Sequence, residues 1–432
     1  MHVFALLVTG LLSAQPAAEP EPAPKRPSPD AGLLLRIRLA AQRNLTRLPN
    51  FTCLETIERS RRRLPARRYD LIDIARVEVA LVEGKELFAW PGSGKFDDRE
   101  LRDLIPNGAT GNGSFALHAR AVFLGRHTTF DQLEETMLAA RAVYHFTYNV
   151  PQPFSGFTIR NGNRSAIVGY GGEFWIDKKN LDLLKLVVKG AGMPPTLEIS
   201  DHAEALQFQR VAIGESDYLL PQSSDLILAD VGGVESRNRT AFSGCKQYGV
   251  ASTISFDAPE DSAATAAALQ AAEPKGPLEG GLNIEIDLPG MELGKTAVGD
   301  AVTARIARDV KHEKRLVIPK GAQIKGRVIH FERYGQTRVG SQPVDVVQLG
   351  IDFDEVIAKE WRAPLWGTVK GLLAAADPRL GRLNQDLGAI IPNYHPSGHN
   401  LVVVYNDMRL RSGLRVVWES RSSPLKPASS SK

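Results

Sequence analysis

Short strand-like segments separated by tight turns fill most of the chain between residues 51 and 256. The segments are rich in β-branched and aromatic residues that alternate with polar ones, and turns such as Glu83-Gly84-Lys85 and Asn161-Gly162 separate them. Because such short connections join antiparallel neighbours, the pattern predicts an antiparallel sheet and not alternating α/β units. We therefore expect a mainly β (α+β) fold, in which one long, curved antiparallel sheet buries its apolar side beneath packed helices.

Three helices are predicted beside this sheet. Asp30 is a candidate N-cap for a helix that ends near Leu48, before Pro49, and shorter helices are expected at 97–105 and 114–124. In the first helix the apolar residues recur at helical spacing: Leu34, Ile37, Ala41, Leu45 and Leu48. Three arginines lie on another side: Arg36, Arg43 and Arg47. A basic amphipathic helix of this kind either covers a sheet or lies on a membrane, and we favour the first interpretation.

The length and the composition predict two domains. At 432 residues the chain is too long for one ordinary core. The stretch 257–281 is rich in Ala, Pro, Glu and Gly, and we interpret it as a linker between a domain at 30–256 and a second domain at 282–420. Residues 15–29 are expected to form a Pro-rich leader, and the polar, Ser-rich residues 421–432 a disordered tail.

Strand patterns also dominate the second domain. Val302, Ala304 and Ile306 alternate with polar neighbours, which is typical of a strand with one buried face. Further along, Pro319-Lys320-Gly321 separates two strand-like runs. Proline fixes its backbone angle and glycine permits a positive one, so we expect a structural corner after which the next strand folds straight back.

The first residues predict export from the cytosol. An apolar run from Val3 to Leu12 is followed by small residues, and we expect a signal peptide at 1–14, although no Lys or Arg precedes the run. The alternative is a disordered cytosolic tail. No stretch approaches the roughly 18 apolar residues of a transmembrane helix, so the expected location is the periplasm or cell envelope.

The two cysteines bear on the same question. Cys53 lies in the first strand-like segment of the first domain, and Cys245 lies in the last one. A disulfide between them would join the two ends of the domain and would fit an oxidising compartment. The alternative is a pair of free thiols in the core.

Two segments of the first domain carry a family resemblance, GEFWIDKKNLDLLKLVV and YLLPQSSDLIL. An aromatic strand, an Asp-containing turn and an apolar strand, followed by a strand entered through Leu-Pro, resemble the curved half-barrel of periplasmic lipoprotein-carrier and sorting proteins (LolA-like). The likeness covers roughly residues 30–256. It implies a concave face that holds acyl chains without a catalytic residue, and it transfers no single site residue.

The second domain carries a different resemblance, in DAVTARIARDVKHEKRLVIPKGAQIKGRVIHFER. This segment resembles the β-barrel core of TrbI-like conjugation and type IV secretion channel proteins. The resemblance implies a small antiparallel β-barrel domain and an envelope setting. Channel activity is not implied, because the chain has no inner-membrane helix and residues 372–398 show no long apolar helix pair.

An arginine cluster is the main candidate binding site. Six arginines and no acidic residue occur between positions 59 and 68: Arg59, Arg61, Arg62, Arg63, Arg67 and Arg68. Clustered guanidinium groups bind phosphate or carboxylate through bidentate hydrogen bonds, so an anionic lipid head group or a polysaccharide is a candidate partner. The alternative is a solvated loop between two strands. No aromatic residues interleave with the arginines and the net charge is only +4, which argues against nucleic acid.

The remaining polar motifs do not point to catalysis or to a metal. The segment WPGSGKF at 90–96 lacks the first glycine of a phosphate-binding loop and the Ser or Thr after its lysine. Asp352 and Asp354 share one face of a strand, but a solvated strand face explains them better than a metal pair. His395 and His399 have metal-ligand spacing only on a helix, which the Pro and Gly between them disfavour. We therefore predict no catalytic residue, metal or cofactor.

The sequence thus predicts an exported, non-enzymatic envelope protein that binds a lipid or another envelope component, or that acts in envelope assembly. Its expected partners are lipids or envelope proteins, and its oligomeric state is not predicted. The alternative is an exported hydrolase that acts on cell-wall or lipid substrates with a site spread over loops. Paired acids with a raised pKa in a deep cleft would favour the hydrolase, whereas a dry apolar groove would favour binding.

Overall fold

The computed structural model describes residues 31–248, 273–373 and 398–424, apart from 95, 97–99, 106–108, 112–114, 116, 340–341, 406–408, 411 and 413. The predicted signal peptide, the leader, linker residues 257–272 and the tail from residue 425 onward lie outside the described residues. Within them the fold is mostly β, with antiparallel sheets and few helices, which confirms the predicted fold class. None of the described helices is both long enough and apolar enough to cross a membrane.

Ten strands form the first sheet, and every neighbouring pair is antiparallel. Numbered along the chain, they lie side by side in the order β3 (Lys85–Ala89), β2 (Asp70–Val82), β1 (Phe51–Arg63), β12 (Val234–Gln247), β11 (Ser216–Asp230), β10 (Ile199–Ile213), β9 (Leu183–Ala191), β8 (Gly169–Asp177), β5 (Arg141–Val150) and β4 (Thr129–Leu138). A separate hairpin contains β6 (Thr158–Asn161) and β7 (Arg164–Ile167). The first and last strands of this region, β1 and β12, are therefore direct neighbours.

Three helices accompany the first sheet: α1 (Ala31–Thr46), α2 (Leu101–Leu104) and α3 (Leu117–Leu124). Each is shorter than the sequence predicted, and α2 is little more than one turn. The buried residues of α1 are Leu33, Ile37, Ala40 and Ala41. All but Ala40 pack into the same apolar cluster as strand residues of β5, β8 and β9. The helix thus covers the sheet, as the favoured interpretation required.

Eight strands in line form the second sheet, and a ninth, β23 (Asn400–Tyr405), pairs with β20. The order is β13 (Glu273–Pro274), β21 (Trp361–Pro364), β20 (Gln342–Ile357), β19 (Gln323–Val339), β16 (Ala301–Ile306), β14 (Asn283–Asp287), β25 (Arg415–Arg421) and β22 (Trp366–Leu373). Two further pairs join β15 (Met291–Glu292) with β24 (Arg409–Leu410) and β17 (Val310–His312) with β18 (Arg315–Ile318). Only β13 pairs in parallel among these strands. The closed-barrel form of this region stays a prediction.

The Pro319-Lys320-Gly321 turn is a corner, but the chain does not fold straight back after it. β18, before the turn, pairs with β17, whereas β19, after it, pairs with β16 and β20. Gly321 has a positive φ of 83°, and its N–H donates to the carbonyl of Ile306 at 2.9 Å. The turn is therefore held against the end of β16, so it directs the chain from one sheet into another.

The described part of the predicted linker, residues 273–281, is docked on the second sheet. The backbone N–H of Glu273 donates to Glu360, that of Leu278 to Pro364 and that of Gly281 to Ser420, at 3.0, 3.2 and 2.8 Å. These residues therefore behave as part of the second region, and any free linker is confined to the part of the chain outside the described residues.

The two regions meet along the free edge of β2. The N–H of Arg76 donates to Val298 at 2.7 Å, and the N–H of Val298 donates to Ile74 at 2.8 Å, which forms an isolated bridge. Gly299 follows with φ +102°, and a Cβ there would lie 2.1 Å from the Arg76 carbonyl oxygen. The Arg76 guanidinium also binds both carboxylate oxygens of Asp300, at 2.6 and 2.8 Å. One buried apolar cluster contains residues of both regions, and the separate folding of 282–420 stays a prediction.

Candidate binding site

The face of the first sheet on which α1 and α3 lie, here called the helix-covered face, is set by strand alternation. On β1 it receives Phe51, Cys53, Glu55, Ile57 and Arg59, all buried. The strand register places Asp73 of β2 and Asn238 of β12 on the same face, because both lie opposite Arg59 of β1. One basic, one acidic and one uncharged polar side chain therefore lie side by side on this buried face.

One half of this face, formed by β4, β5, β8 and β9, is apolar and filled. Phe174 of β8 stacks on Phe146 of β5 with ring centroids 5.1 Å apart, and Phe123 of α3 meets Phe174 edge-on at 5.1 Å. Ile37 of α1 is fully buried in the same cluster. The side chains of α1 and α3 thus occupy the space that an acyl chain would need on this half.

The other half, formed by β1, β2, β10, β11 and β12 and here called the polar half, buries ionisable and polar groups beside its apolar residues. The carboxyl group of Glu55 is buried, and burial together with the neighbouring Glu86 and Glu204 carboxylates holds the pKa of Glu55 well above its usual range. His118 of α3 lies with its Nε2 3.1 Å from Glu204 Oε2. Burial alone would raise the pKa of Glu204, but its contact with His118 outweighs burial and lowers it. The carboxyl groups on this half thus differ in their readiness to ionise.

Two small cavities lie in the polar half. The first, lined by Glu55, Glu204, Ser224 and Thr240 among others, measures about 10 Å³, close to the space of one water molecule. The second, here called the junction cavity, measures about 90 Å³ and lies where Arg59, Asp73 and Asn238 face His330 and Glu332 of β19. Neither approaches the roughly 300–1,000 Å³ of a typical ligand pocket.

Two arginines of the six-residue cluster are paired with carboxylates, Arg59 in the interior and Arg62 at the surface, where it is half-buried. β1 continues to Arg63, so most of the cluster lies on a strand and not in a solvated loop between two strands. Arg59 donates from Nε to Asp73 Oδ1 at 2.7 Å and from Nη2 to Oδ2, and both side chains are buried. Arg62 pairs with Glu235, which also accepts from the Tyr69 hydroxyl at 2.8 Å. The charges of these two arginines are therefore already neutralised.

The other four arginines are exposed: Arg61, Arg63, Arg67 and Arg68. None of them forms an ion pair with any residue that the structure describes. Arg63 donates to the Gly232 carbonyl at 3.0 Å, and the N–H of Leu64 donates to the Gly233 carbonyl at 2.8 Å. The end of the β1–β2 hairpin is thus anchored through its backbone while these guanidinium groups face solvent.

The second region brings together two of the weaker candidates. His399 Nδ1 lies 3.2 Å from Asp352 Oδ1. The Asp352 side chain is 45% exposed, but incomplete hydration and the neighbouring Asp354 raise the pKa of Asp352 to about 6. No group of three or more potential ligands that could hold a metal occurs within the described residues, and His395 lies outside them. The described part of 90–96 contains a turn at Pro91 and Gly92.

The predicted disulfide is present. Cys53 of β1 and Cys245 of β12 are bonded, with Cα atoms 4.1 Å apart. The register between the two strands shifts next to this position, between Thr52 and Leu54, and Gly244 has a positive φ of 58°. Continuing the register of Thr52 with Lys246 places Cys245 opposite Cys53, and opposite residues of an antiparallel pair project from the same side of the sheet.

Sequence analysis did not identify Glu55, Asp73, His118 or Glu204. A signal existed for Glu55, because it interrupts the apolar series of Phe51, Cys53 and Ile57 on one face of β1. The pairing of His118 with Glu204 left no such signal. The two residues are distant in the chain, and only the packing of α3 against β10 places them together.

No protein-family model and no curated protein matches the chain. Two solved structures share limited similarity with it. A DUF1329 family protein from Desulfovibrio piger is 11% identical over 51% of this chain and 95% of its own, with a TM-score of 0.28. A putative outer membrane lipoprotein-sorting protein domain from Vibrio parahaemolyticus is 12% identical over 51% of this chain and 93% of its own, also with a TM-score of 0.28. Similarity at this level carries no argument about function.

Proposed function

We propose that this is an exported, non-enzymatic envelope protein that binds an anionic envelope component through the end of its β1–β2 hairpin. The observation that supports this most is the set of four exposed arginines there without an ion-pair partner among the described residues: Arg61, Arg63, Arg67 and Arg68. Four like charges in a short stretch repel one another, and a bound anion relieves that repulsion. The bound group is a phosphate or a carboxylate, since both match the guanidinium fork.

The contrast within the cluster supports the same conclusion. Arg59 and Arg62 are each matched by a carboxylate from a neighbouring strand, Asp73 and Glu235. Elsewhere on the sheet surface, Arg210 and Arg237 are matched in the same way by Asp182 and Asp225. These four strand arginines each have a carboxylate partner, whereas the four at the hairpin end have none among the described residues.

Export is supported by the disulfide between Cys53 and Cys245, since such bonds persist mainly in oxidising compartments. The proposed location is therefore the periplasm or cell envelope. It is tested by cell fractionation and by mass spectrometry of the mature N-terminus and of the thiol state. A cytosolic, reduced protein would contradict this part of the proposal.

Carriage of an acyl chain is a weaker form of the proposal. The apolar half of the helix-covered face is filled by residues such as Ile37, Phe123 and Phe174, so a chain could enter only after α1 or α3 moved away. Without such a movement, the protein can bind only the head group of a lipid, at the exposed arginines.

A hydrolase remains the second candidate, because one observation favours it. The pKa of Glu55 is raised while that of Glu204 is lowered, and carboxyl groups with opposed shifts are typical of acid–base pairs. However, the cavity beside them measures about 10 Å³ and admits no substrate. Glu55→Gln should therefore leave any hydrolysis of peptidoglycan or phospholipid by the purified protein unchanged, and loss of a measurable turnover would favour the hydrolase.

Anion binding is tested on the mature protein by calorimetric titration with two soluble polymers, polyphosphate and polygalacturonate. Replacing Arg61, Arg67 and Arg68 together by Ala should weaken binding about 100-fold, at about 1 kcal/mol per arginine, and added salt should weaken it further. The matched control removes the same charge from the exposed β17–β18 hairpin through Lys311→Ala, Lys314→Ala and Arg315→Ala. Equal losses in the two triple variants, or no binding by the unaltered protein, would defeat the proposal.

A further inference from the structure

The outer side of α1 exposes two adjacent leucines. Leu35 is 59% exposed and Leu39 is 45% exposed, whereas Leu33, Ile37 and Ala41 on the inner side are buried. Residues four apart on a helix are surface neighbours. The helix thus has a second, smaller apolar strip that faces away from the sheet it covers.

The helix that carries this strip has basic residues and no acidic ones. The sequence of α1, AGLLLRIRLAAQRNLT, contains no Asp or Glu. Arg36, Arg43 and Arg47 are exposed, and none forms an ion pair with a residue that the structure describes. An exposed apolar strip on a helix whose charged side chains are all basic is typical of helices that lie at the surface of an anionic membrane.

The loop after α3 extends the same surface. Arg38 of α1 donates to the Gly125 carbonyl at 3.4 Å, which holds that loop beside the helix. Arg126 and His127 follow and are exposed, and the His127 ring stacks on Phe154 with centroids 3.8 Å apart. Phe154 is itself 55% exposed. An exposed cation, Arg126, thus lies in the loop that contacts α1, and an exposed aromatic ring, Phe154, packs against that loop.

We propose that the outer side of α1 docks on an anionic bilayer, with Leu35 and Leu39 at head-group depth and Arg36, Arg43 and Arg47 on lipid phosphates. A second copy of the chain is a poorer occupant, because a two-fold contact would bring the same positive face against itself. This surface shares no residue with the end of the β1–β2 hairpin. Membrane docking therefore goes beyond the proposed function, and it would still stand if the hairpin bound no anion.

The test is co-sedimentation of the mature protein with phosphatidylcholine vesicles that do or do not contain phosphatidylglycerol. Binding should require phosphatidylglycerol. The charge variant Arg36→Gln/Arg43→Gln should bind about 25-fold more weakly, at about 5-fold per arginine, and Leu35→Ser/Leu39→Ser at least several-fold more weakly. Because all four residues are exposed, unchanged thermal unfolding should show that these variants fold.

Two controls make the result specific to α1. Leu316→Ser removes a leucine that is 50% exposed in the second region and should bind like the unaltered protein. The triple variant of the exposed β17–β18 hairpin, at Lys311, Lys314 and Arg315, should also bind like the unaltered protein. Full vesicle binding in both α1 variants would overturn the proposal, as would no vesicle binding by the unaltered protein.

The other occupants are outcomes of the same design. Self-association that Leu35→Ser/Leu39→Ser abolishes, measured by sedimentation velocity without vesicles, would assign the surface to a second copy. Vesicle binding that appears only after deletion of residues 15–29 would assign it to that segment of the chain. Either result would overturn membrane docking by the intact protein.

Discussion

The two halves of the helix-covered face are stabilised in different ways. The apolar half is closed by its own helices and by aromatic contacts such as Phe146 with Phe174. The polar half buries a salt bridge, a carboxyl group with a raised pKa and a His–Glu pair, and it is fastened by the disulfide and by the junction with the second region. The side that buries charge is thus the side to which covalent and interdomain support is added.

The two halves should therefore tolerate substitutions differently. Apolar contacts are non-directional, so the apolar half tolerates changes that conserve volume. Buried charges are stable only when each is matched by a partner. The exposed arginines and both cavities lie in the polar half or at its border. The candidate binding residues are therefore found where buried charged pairs restrict which substitutions the sheet tolerates.

Loss of the Cys53–Cys245 bond should have the largest effect on stability. The bond joins residues 192 apart in sequence, and opening so long a loop lowers the free energy of unfolding by up to about 5 kcal/mol. We expect Cys53→Ala/Cys245→Ala to lower the urea midpoint accordingly. A reducing agent should lower the urea midpoint of the unaltered protein to that of the variant, and it should leave the midpoint of the variant unchanged. Additional loss in the reduced variant would show that the effect is not due to the bond.

On the apolar half, Phe174→Ala should cost about 4 kcal/mol, because it removes a fully buried ring that packs near four other aromatic rings. The matched control is Phe154→Ala, which should change stability by less than about 0.5 kcal/mol. Urea unfolding followed by tryptophan fluorescence measures both. A small effect at Phe174 would mean that α1 and α3 collapse readily into the space.

On the polar half, Asp73→Ala should cost about 3 kcal/mol, because it leaves the buried Arg59 charge without its carboxylate. Replacing both members, as Arg59→Met/Asp73→Leu, should recover most of that loss, since the pair is costly to desolvate. This pattern of a harmful single change and a mild double change distinguishes buried charge from apolar packing. A double variant as unstable as the single one would remove that distinction.

The smallest effect is a pH dependence from Glu55. Its folded pKa lies above its ordinary value of 4.5, so the native state keeps a proton that the unfolded chain has lost. Stability should therefore fall as the pH rises from about 4.5 to the folded pKa, by up to about 1.4 kcal/mol per pH unit. Glu55→Gln should flatten this slope in urea titrations at several pH values. Glu58→Gln, on the exposed side of the same strand, should retain it, and an unchanged slope in Glu55→Gln would contradict the assignment.

In α1 the buried side was predicted correctly from the sequence, except that one residue at its edge was displaced by one position. The sequence predicted a stripe that includes Leu34, Ile37 and Ala41, and the structure buries Leu33, Ile37 and Ala41. The exposed Leu35 and Leu39 fell outside the predicted stripe, because the helical period places them on the other side of the helix. The spacing determines that one side is buried, while the packing against β5 and β8 decides which residues form its edge.

The sequence by itself determined the elements that depend on near neighbours. Alternation of apolar and polar residues and the turn residues between them specified antiparallel strands, because both effects act over a few residues. The positions of Cys53 and Cys245 in the first and last strands of a sheet also predicted the disulfide.

Only the tertiary structure decided how the charged residues are matched. Six arginines look alike in sequence, yet Asp73 and Glu235 neutralise two of them because β2 and β12 flank β1. In the same way, the corner at Pro319 is visible in the sequence, but its direction depends on the hydrogen bond from Gly321 to Ile306 in another strand. Electrostatic and hydrogen-bond partners are chosen by distance in space, which strand register and sheet order set and which the linear pattern does not contain.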